Sequence, residues 1–382
     1  MRETTAPDSL ILAVNSGSSS LKFGLFAHRD GDESPLYQGE AENNRLTISD
    51  ANKKTILDEP HAPTTQTTAL KSILDALAKC GAPAPVAVAH RVVHGGPHLR
   101  QHQRITPQVI ATLEAALHFA PLHIPASLAL IRETETLLPR AQQFACFDTA
   151  FHATMPDIST RYAIPEKFYG EGVQRYGFHG LSYESILHQL RDVLPARIVC
   201  AHLGNGASLA AILNGRSIDT SMGLTPTGGI PMSTRTGDLD PGVLIFLMRS
   251  NRLNADALET ILNRQSGLAA LSGGESDMRR LQAAIGAGDQ NAALAVNIFA
   301  ASIRKFIGAY AAELGGLDLL IFTGGIGEHS PFVRNLVCQG LEFLDIHPGH
   351  EGPGTKVLIL PSDEETQIAR HARRLMNLSA QS

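Results

Sequence analysis

Apolar residues along this chain fall into short unbroken runs, separated by turns of glycine, serine and asparagine and by stretches of helical period. The run at residues 11–14 leads into Asn15-Ser16-Gly17-Ser18-Ser19-Ser20, and a second run follows at 21–26. This predicts a buried strand, a tight loop and a returning strand. The loop offers backbone N–H groups, hydroxyls and Lys22, a donor set that suits a small anion such as phosphate. The same composition also describes an ordinary polar hairpin turn.

The rest of the chain alternates in kind. Residues 1–10 read as a loose polar leader, and 28–68 as surface strands and loops. Residues 70–78 have the helical period, ended by Gly81-Ala82-Pro83. Residues 86–93 are apolar and β-branched, a buried strand stopped by Gly95-Gly96-Pro97. A helical pattern covers 105–119, and Pro125 suits the first turn of a helix running to Leu138. A short strand at 144–147 ends in Asp148, and 149–180 is rich in loops.

Residues 198–213 then repeat the opening design: a strand, the turn His202-Leu203-Gly204-Asn205-Gly206, and a returning strand from Ser208. This internal echo predicts one phosphate-type hairpin in each half, the two facing each other across a cleft. Residues 219–242 read as irregular, and 292–314 as a long helix capped by Gly315-Gly316. A buried strand at 317–322 runs into Thr323-Gly324-Gly325-Ile326-Gly327-Glu328, a glycine turn that precedes a helix N-capped by Ser330 with Pro331 in its first turn. A strand at 357–360 follows, and Ser362 with Glu365 reads as a capping box on the last helix.

Strands alternating with helices in both halves predict an α/β protein. A length of 382 residues exceeds what one core usually holds and predicts two domains, with a boundary near 148–150. Hydrophobic content of 43% and charged content of 18% exclude a disordered chain. A net charge of −5 gives no pull toward nucleic acid or an anionic membrane. The first apolar run is too short for a signal peptide or a membrane span. Cys80, Cys146, Cys200 and Cys338 are scattered, form no CxxC pair, and point to a reducing cytoplasm.

Several residues are placed for chemistry. No P-loop motif occurs, and Gly325-Ile326-Gly327 lacks the third glycine of a dinucleotide fingerprint because Ser330 stands there. Nucleotide phosphate or ribose can still rest on that turn, where no side chain blocks the backbone. His90, His94, His98 and His102 recur every fourth residue, but Gly95-Gly96-Pro97 breaks any helix that would make them a metal stripe. Arg91 within an apolar run calls for an anionic partner, with His90 and His94 as supporting hydrogen-bond partners; its bland alternative is a surface salt bridge. Asp148 stands at the carboxyl end of a strand, where α/β ligands bind, or else simply caps a turn. His179 sits between glycines, as a structural histidine also could. Arg235 lies in a loop of small polar residues, suited to phosphate or merely solvated. Glu364 opens the last helix, where it either complements the helix dipole or serves as a Mg²⁺ carboxylate.

These residues resemble the acetate kinase family. The carrying stretches are Asn15-Ser16-Gly17-Ser18-Ser19-Ser20-Leu21-Lys22, His90-Arg91-Val92-Val93-His94-Gly95-Gly96, Phe147-Asp148-Thr149-Ala150-Phe151-His152, Tyr176-Gly177-Phe178-His179-Gly180, His202-Leu203-Gly204-Asn205-Gly206, Ser276-Asp277-Met278-Arg279 and Phe322-Thr323-Gly324-Gly325-Ile326-Gly327-Glu328. They occur in the family's order and span about 11 to 372.

The resemblance implies two similar ribonuclease-H-like, actin-like ATPase domains flanking a nucleotide cleft: residues 1–148 with 361–382 as the first, and 149–360 as the second. It implies reversible, direct in-line transfer of the ATP γ-phosphoryl group to acetate, with Mg²⁺ or Mn²⁺, in a homodimer that closes on ATP. Carried over by position, Asn15 and Glu364 would hold the metal. Lys22, His202, Leu203, Gly204, Asn205, Gly206, Asp277, Met278, Arg279, Gly325, Ile326, Gly327, Glu328 and His329 would bind nucleotide. Arg91 would hold the carboxylate, Asp148 would act as acid/base or orienting group, and His179 and Arg235 would stabilise the transition state. Val93, Leu122, Phe178 and Pro226 would line the methyl pocket. Such transfer needs no strong base, because a carboxylate is already ionised; alignment and charge neutralisation do the work.

The chain departs from the family pattern at Ala89 (usually Gly), at Tyr183 after Ser182 (usually His), across Thr225-Pro226-Thr227-Gly228-Gly229-Ile230, and at His329 (usually Asn). None of these removes a candidate catalytic group, but the 225–235 changes bear on the acid's chain length. Propionate or another short acid is the nearest rival substrate, since one methylene is worth only ~1–3 kcal/mol. An actin-like ATPase without a small-molecule acceptor is the rival of a different kind; paired Arg91 and Arg235 argue against it.

Overall fold

The structure, a computed structural model, describes residues 9–17, 20–42, 44–60, 65–346 and 354–380. Most of the expected leader, and Ser18 and Ser19 of the opening turn, lie outside the described residues. The chain divides into two compact units. One holds the residues up to Ala150, Gly180–Ser185 and the chain from Asp363; the other holds Phe151–His179 and Ile186–Ser362.

The first unit is built on an eight-stranded sheet. Its strands are β1 (Ile11–Ser16), β2 (Leu21–Arg29), β3 (Asp32–Glu42), β4 (Arg45–Asp50), β5 (Thr55–Pro60), β6 (Ala87–Val92), β7 (Gln103–Arg104) and β8 (Gln142–Phe147), in the order β5-β4-β3-β2-β1-β6-β8-β7. The opening hairpin is β1–β2, antiparallel, with Asn15 opposite Lys22 and the Gly17 N–H donating to the Ser20 carbonyl at 2.9 Å. Strands β1, β6 and β8 are parallel, with Val14 beside His90 and Arg91 beside Cys146.

Period-two alternation sends successive side chains to opposite faces. Leu12, Val14, Phe23, Leu25 and Val88 pack with Leu70 and Ile73 of the helix Gln66–Lys79. Ile11, Ala13, Ala87, Ala89 and Cys146 pack with Ile368, Ala369 and Ala372 of the helix Glu364–Ala380. Alanine on both sides of this second layer lets the helix lie close to the sheet. Arg370 and Arg373 tie the same helix to Asp32 and Glu33, at 2.7 and 2.8 Å.

The second unit has a five-stranded sheet of β9 (Arg197–Leu203), β10 (Ala207–Leu213), β11 (Arg216–Thr220), β12 (Leu319–Thr323) and β13 (Lys356–Ile359), ordered β11-β10-β9-β12-β13. Pairings β9–β10 and β10–β11 are antiparallel, β9–β12 and β12–β13 parallel. This is the plan of β3-β2-β1-β6-β8, so the echo seen in sequence extends to five strands. Helix Gln290–Glu313 buries Ala295, Val296, Phe299, Ile303 and Ile307 in this unit's core. It is long and apolar enough to cross a membrane by length and composition, and 39% of that apolar window is buried within the protein.

Three local expectations are corrected. The last helix begins at Glu364, and the Thr366 N–H donates to Asp363 Oδ1 at 3.3 Å, so Asp363 is its cap rather than Ser362. Glu365 is drawn away from a capping box by Asn15, whose Nδ2 donates to it at 2.7 Å. The glycine segment Gly324–His329 is itself a short helix rather than a bare turn, and it leads, as expected, into the helix Pro331–Cys338 that Ser330 caps.

Candidate active site

In the first unit, β1, β6 and β8 deliver three polar groups to their carboxyl ends, and the C-terminal helix delivers two more. Arg91, one residue before the end of β6, faces the same side as Ala87 and Ala89. Its Nε lies 3.0 Å from both Asp148 oxygens and its Nη2 2.6 Å from Oδ2. Its Nη1 donates to Asn15 Oδ1 at 3.3 Å and to the Ser16 carbonyl at 3.1 Å. Asn15 Nδ2 in turn donates to Glu364 Oε2 at 3.0 Å as well as to Glu365. Glu364 Oε2 stands 4.0 Å from Arg91 Nε.

Charge and burial oppose each other here. Burial works against the Arg91 cation, but Asp148, Glu364 and Glu365 more than offset it and raise its pKa. Burial pushes the Asp148 carboxyl up, and the Arg91 fork pulls it back. Glu365 is pushed up by burial and by Glu364 beside it, with Asn15 and Lys22 pulling down. Glu364, Glu365 and Asp148 face Arg91 and Lys22, leaving one negative charge in excess. That surplus, on oxygen donors, fits a hard divalent cation.

Arg91 does not use His90 as a support. Alternation along β6 turns His90 to the other face, where its Nε2 meets Gln143 Oε1 at 2.9 Å. His94 Nδ1 accepts from the Gly96 N–H at 2.8 Å. The four histidines from 90 to 102 share no helix; β6 ends at Val92 and a loop follows. Val93 is half-buried and Leu122 is 44% exposed.

In the second unit the β9–β10 hairpin turns at Gly204-Asn205-Gly206, with the Gly204 N–H donating to the Gly206 carbonyl at 3.1 Å. A Cβ on Gly206 would stand 3.2 Å from His179 Nε2 and 3.8 Å from Arg235 Nη1, and one on Gly204 would stand 4.0 Å from the Gly325 nitrogen. The bare turn is therefore where His179, Arg235 and the start of helix Gly324–His329 come together. His179 has φ 59° and ψ 22°, the left-handed region that a side chain disfavours. Its Nδ1 lies 2.9 Å from Ser208 Oγ and its ring stacks 4.4 Å from that of His202. The Arg235 Nη1 donates to the Pro226 carbonyl at 3.1 Å. Phe178 is fully buried.

Two candidate nucleotide segments have structural duties of their own. Asp277 caps the helix Met278–Gly286, accepting from the Arg279 and Arg280 N–H groups, and pairs with the Arg279 guanidinium at 2.6 Å. Met278 is buried. Glu328 Oε1 accepts from the N–H groups of Gly324 at 2.9 Å and Ser362 at 3.2 Å. His329 Nδ1 lies 3.1 Å from the Gly325 carbonyl. Glu365, read in the sequence only as part of a capping box, and Ser208, read only as the start of a strand, were not singled out as site residues. A carboxylate beside Glu364, and a hydroxyl two residues past a candidate turn, were the signals available.

A doubled three-antiparallel, two-parallel plan, with glycine hairpins and a buried arginine–carboxylate cluster, is the class of the actin-like phosphotransferases. The family profile described as the Acetokinase family matches residues 10–370, and the chain belongs to that family. It is 40% identical to the acetate kinase of Geobacillus kaustophilus, over 96% of this chain and 99% of that protein. The crystal structure of Porphyromonas gingivalis acetate kinase matches with a TM-score of 0.83 at 39% identity, covering 96% of this chain and 100% of that one. A propionate kinase from Francisella tularensis matches with a TM-score of 0.87 at 32% identity, covering 95% and 98%.

Proposed function

We propose that this chain catalyses the reversible transfer of the γ-phosphoryl group of ATP to acetate, giving acetyl phosphate and ADP. The observation that carries the reading is Arg91: a nearly buried guanidinium held in plane by Asp148, Asn15 and the Ser16 carbonyl, in a chain of this family. Arg91 is assigned to the acid's carboxylate, and Asp148 to holding the Arg91 fork in the orientation that a carboxylate needs. An acetate oxygen attacks the γ-phosphorus, and the bond to the β–γ bridging oxygen breaks, leaving on ADP. No proton has to be removed from the nucleophile. His179 and Arg235 are assigned to the charge on the transferring oxygens, with Gly206 leaving the room that they converge on.

Asn15 and Glu364 are assigned to the divalent ion, with Glu365 beside them; Mg²⁺, or Mn²⁺ in its place, would neutralise phosphate oxygens there. Lys22, the 202–206 turn, Asp277–Arg279 and 325–329 are assigned to nucleotide, and Val93, Leu122, Phe178 and Pro226 to the acid's methyl group. Four free thiols fit a cytoplasmic setting. For the homodimer that the family resemblance implies, the best supported surface is the helix Pro241–Ser250, which buries none of its residues while exposing Val243, Ile245, Phe246 and Met248. Phe246→Glu should then halve the mass in solution.

The test is an acid series. With Mg·ATP and hydroxylamine as trap, acetate should give the highest kcat/KM for acyl hydroxamate, and propionate should lie within about 10–200-fold of it. Propionate above acetate would move the assignment to the second acid. Release of ADP without hydroxamate from any acid would remove the kinase reading.

A further inference from the structure

His102, Glu184 and His371 come together in the first unit, and the proposed reaction uses none of them. His371 Nε2 lies 2.7 Å from Glu184 Oε2, His102 Nε2 lies 3.4 Å from Oε1, and the two rings stand 3.8 Å apart. By residue type and reach they could ligate a metal ion. Their other ring nitrogens argue against it. A ligating imidazole keeps its proton on the far nitrogen and gives it to an acceptor. Here the Phe147 N–H donates to His102 Nδ1 at 3.0 Å, and the Arg374 guanidinium lies 3.4 Å from His371 Nδ1. Both Nδ1 atoms face donors, so both Nε2 atoms carry the proton. The Gln367 amide nitrogen, 3.0 Å from His371 Nε2, is then a contact and not a donor.

Two N–H groups thus aim at one carboxylate. Burial opposes the Glu184 charge, but His371 and His102 more than offset it and hold Glu184 ionised. The clamp joins three elements: the helix that opens at Gly180, the segment before β7, and the C-terminal helix. His371 is seven residues beyond Glu364, about two turns along the same helix face.

We propose that Glu184 is a positioning residue: through His371 it fixes the rotation of the C-terminal helix, and with it the place of Glu364 beside Asn15 and Arg91. The inference rests on the reading of Glu364 as a divalent-ion ligand. In Glu184→Gln an amide N–H₂ would face a histidine N–H, and the clamp would open. The Mg²⁺ concentration for half-maximal rate should rise at least tenfold, while the rate at saturating Mg²⁺ stays within twofold of wild type. Mn²⁺ binding in the presence of ADP, read from the electron-spin signal of free Mn²⁺, should weaken by a similar factor. Glu184→Asp, which keeps the charge, should restore affinity to within threefold. A purely structural residue would lower the melting temperature without a Mg²⁺-dependent rescue.

Unchanged Mn²⁺ affinity in Glu184→Gln, with weakened affinity in Glu364→Gln, would overturn the positioning role alone. Unchanged affinity in Glu364→Gln would overturn the ligand reading and the positioning role together. Should Glu184→Gln fail to fold, His102→Asn, which leaves the carboxylate and one donor, should shift Mn²⁺ affinity about threefold. No shift there would overturn the proposal.

Discussion

Arg91 and Asp148 form a side-on pair, with Nε shared between both carboxylate oxygens at 3.0 Å and Nη2 on Oδ2 at 2.6 Å. The arginine is therefore oriented before any substrate arrives, and its plane is set by the strand ends of β6 and β8 rather than by a mobile loop.

Arg91→Lys keeps a charge and loses the fork. A lysine ammonium cannot hold Asp148 side-on and present a second planar face to an acid. The kcat/KM for acetate should fall at least a hundredfold, or about 3 kcal/mol of barrier, with a melting temperature close to wild type. Initial rates over an acetate series, with a thermal melt, check both parts.

Asp148→Ala leaves the Arg91 cation nearly buried and stripped of its main counter-charge. Breaking one partner of a buried pair costs roughly 3–5 kcal/mol, partly relieved here by Glu364 at 4.0 Å. The unfolding free energy from urea titration should shift down by that amount at pH 7. A shift below 1 kcal/mol would mean that water reaches the pair.

Gly206→Ala puts a Cβ at 3.2 Å from His179 Nε2. Gly206 carries no left-handed φ, so the backbone accepts alanine, and the cost falls on the His179 ring. Stability should change little while kcat drops at least tenfold. Equal rates for wild type and variant would show that His179 does not work from this position.

His90 supplies a pH signature. Burial holds its imidazole down at about 4, against an ordinary 6.5. Between those values the unfolded chain binds the proton and the folded chain does not, so stability falls as pH drops from 6.5 toward 4, by up to about 3 kcal/mol. Above 6.5 both states are neutral there and this contribution is constant. Unfolding free energies at pH 7 and pH 4.5 should differ less in His90→Gln, which cannot titrate, than in wild type.

Much of this was legible in the sequence because strand runs and glycine turns report local rules. Both hairpins, the Pro125 and Pro331 helix starts and the strand ending at Asp148 follow from backbone chemistry within a few residues. What was not legible depends on distant partners. Ser362 and Glu365 have the spacing of a capping box, but Asn15 sits opposite Glu365 and takes its carboxylate. His90 looked like a companion to Arg91 by adjacency, and strand alternation sends it to the other face. His102, Glu184 and His371 lie far apart in the chain and carry no shared spacing, so only the sheet and the last helix reveal them as one cluster. The family resemblance supplied roles that spacing alone left open, above all for Glu364 and Arg235.

The most direct test follows phosphorus itself. Phosphorus NMR of the enzyme with Mg·ATP and acetate should show acetyl phosphate and ADP growing one to one as the γ-resonance decays, and the reverse when the reaction starts from acetyl phosphate and ADP. Inorganic phosphate appearing with ADP, with no acyl phosphate resonance at any time, would contradict the assignment of Arg91 to an acceptor carboxylate and of the chain to acyl phosphate chemistry.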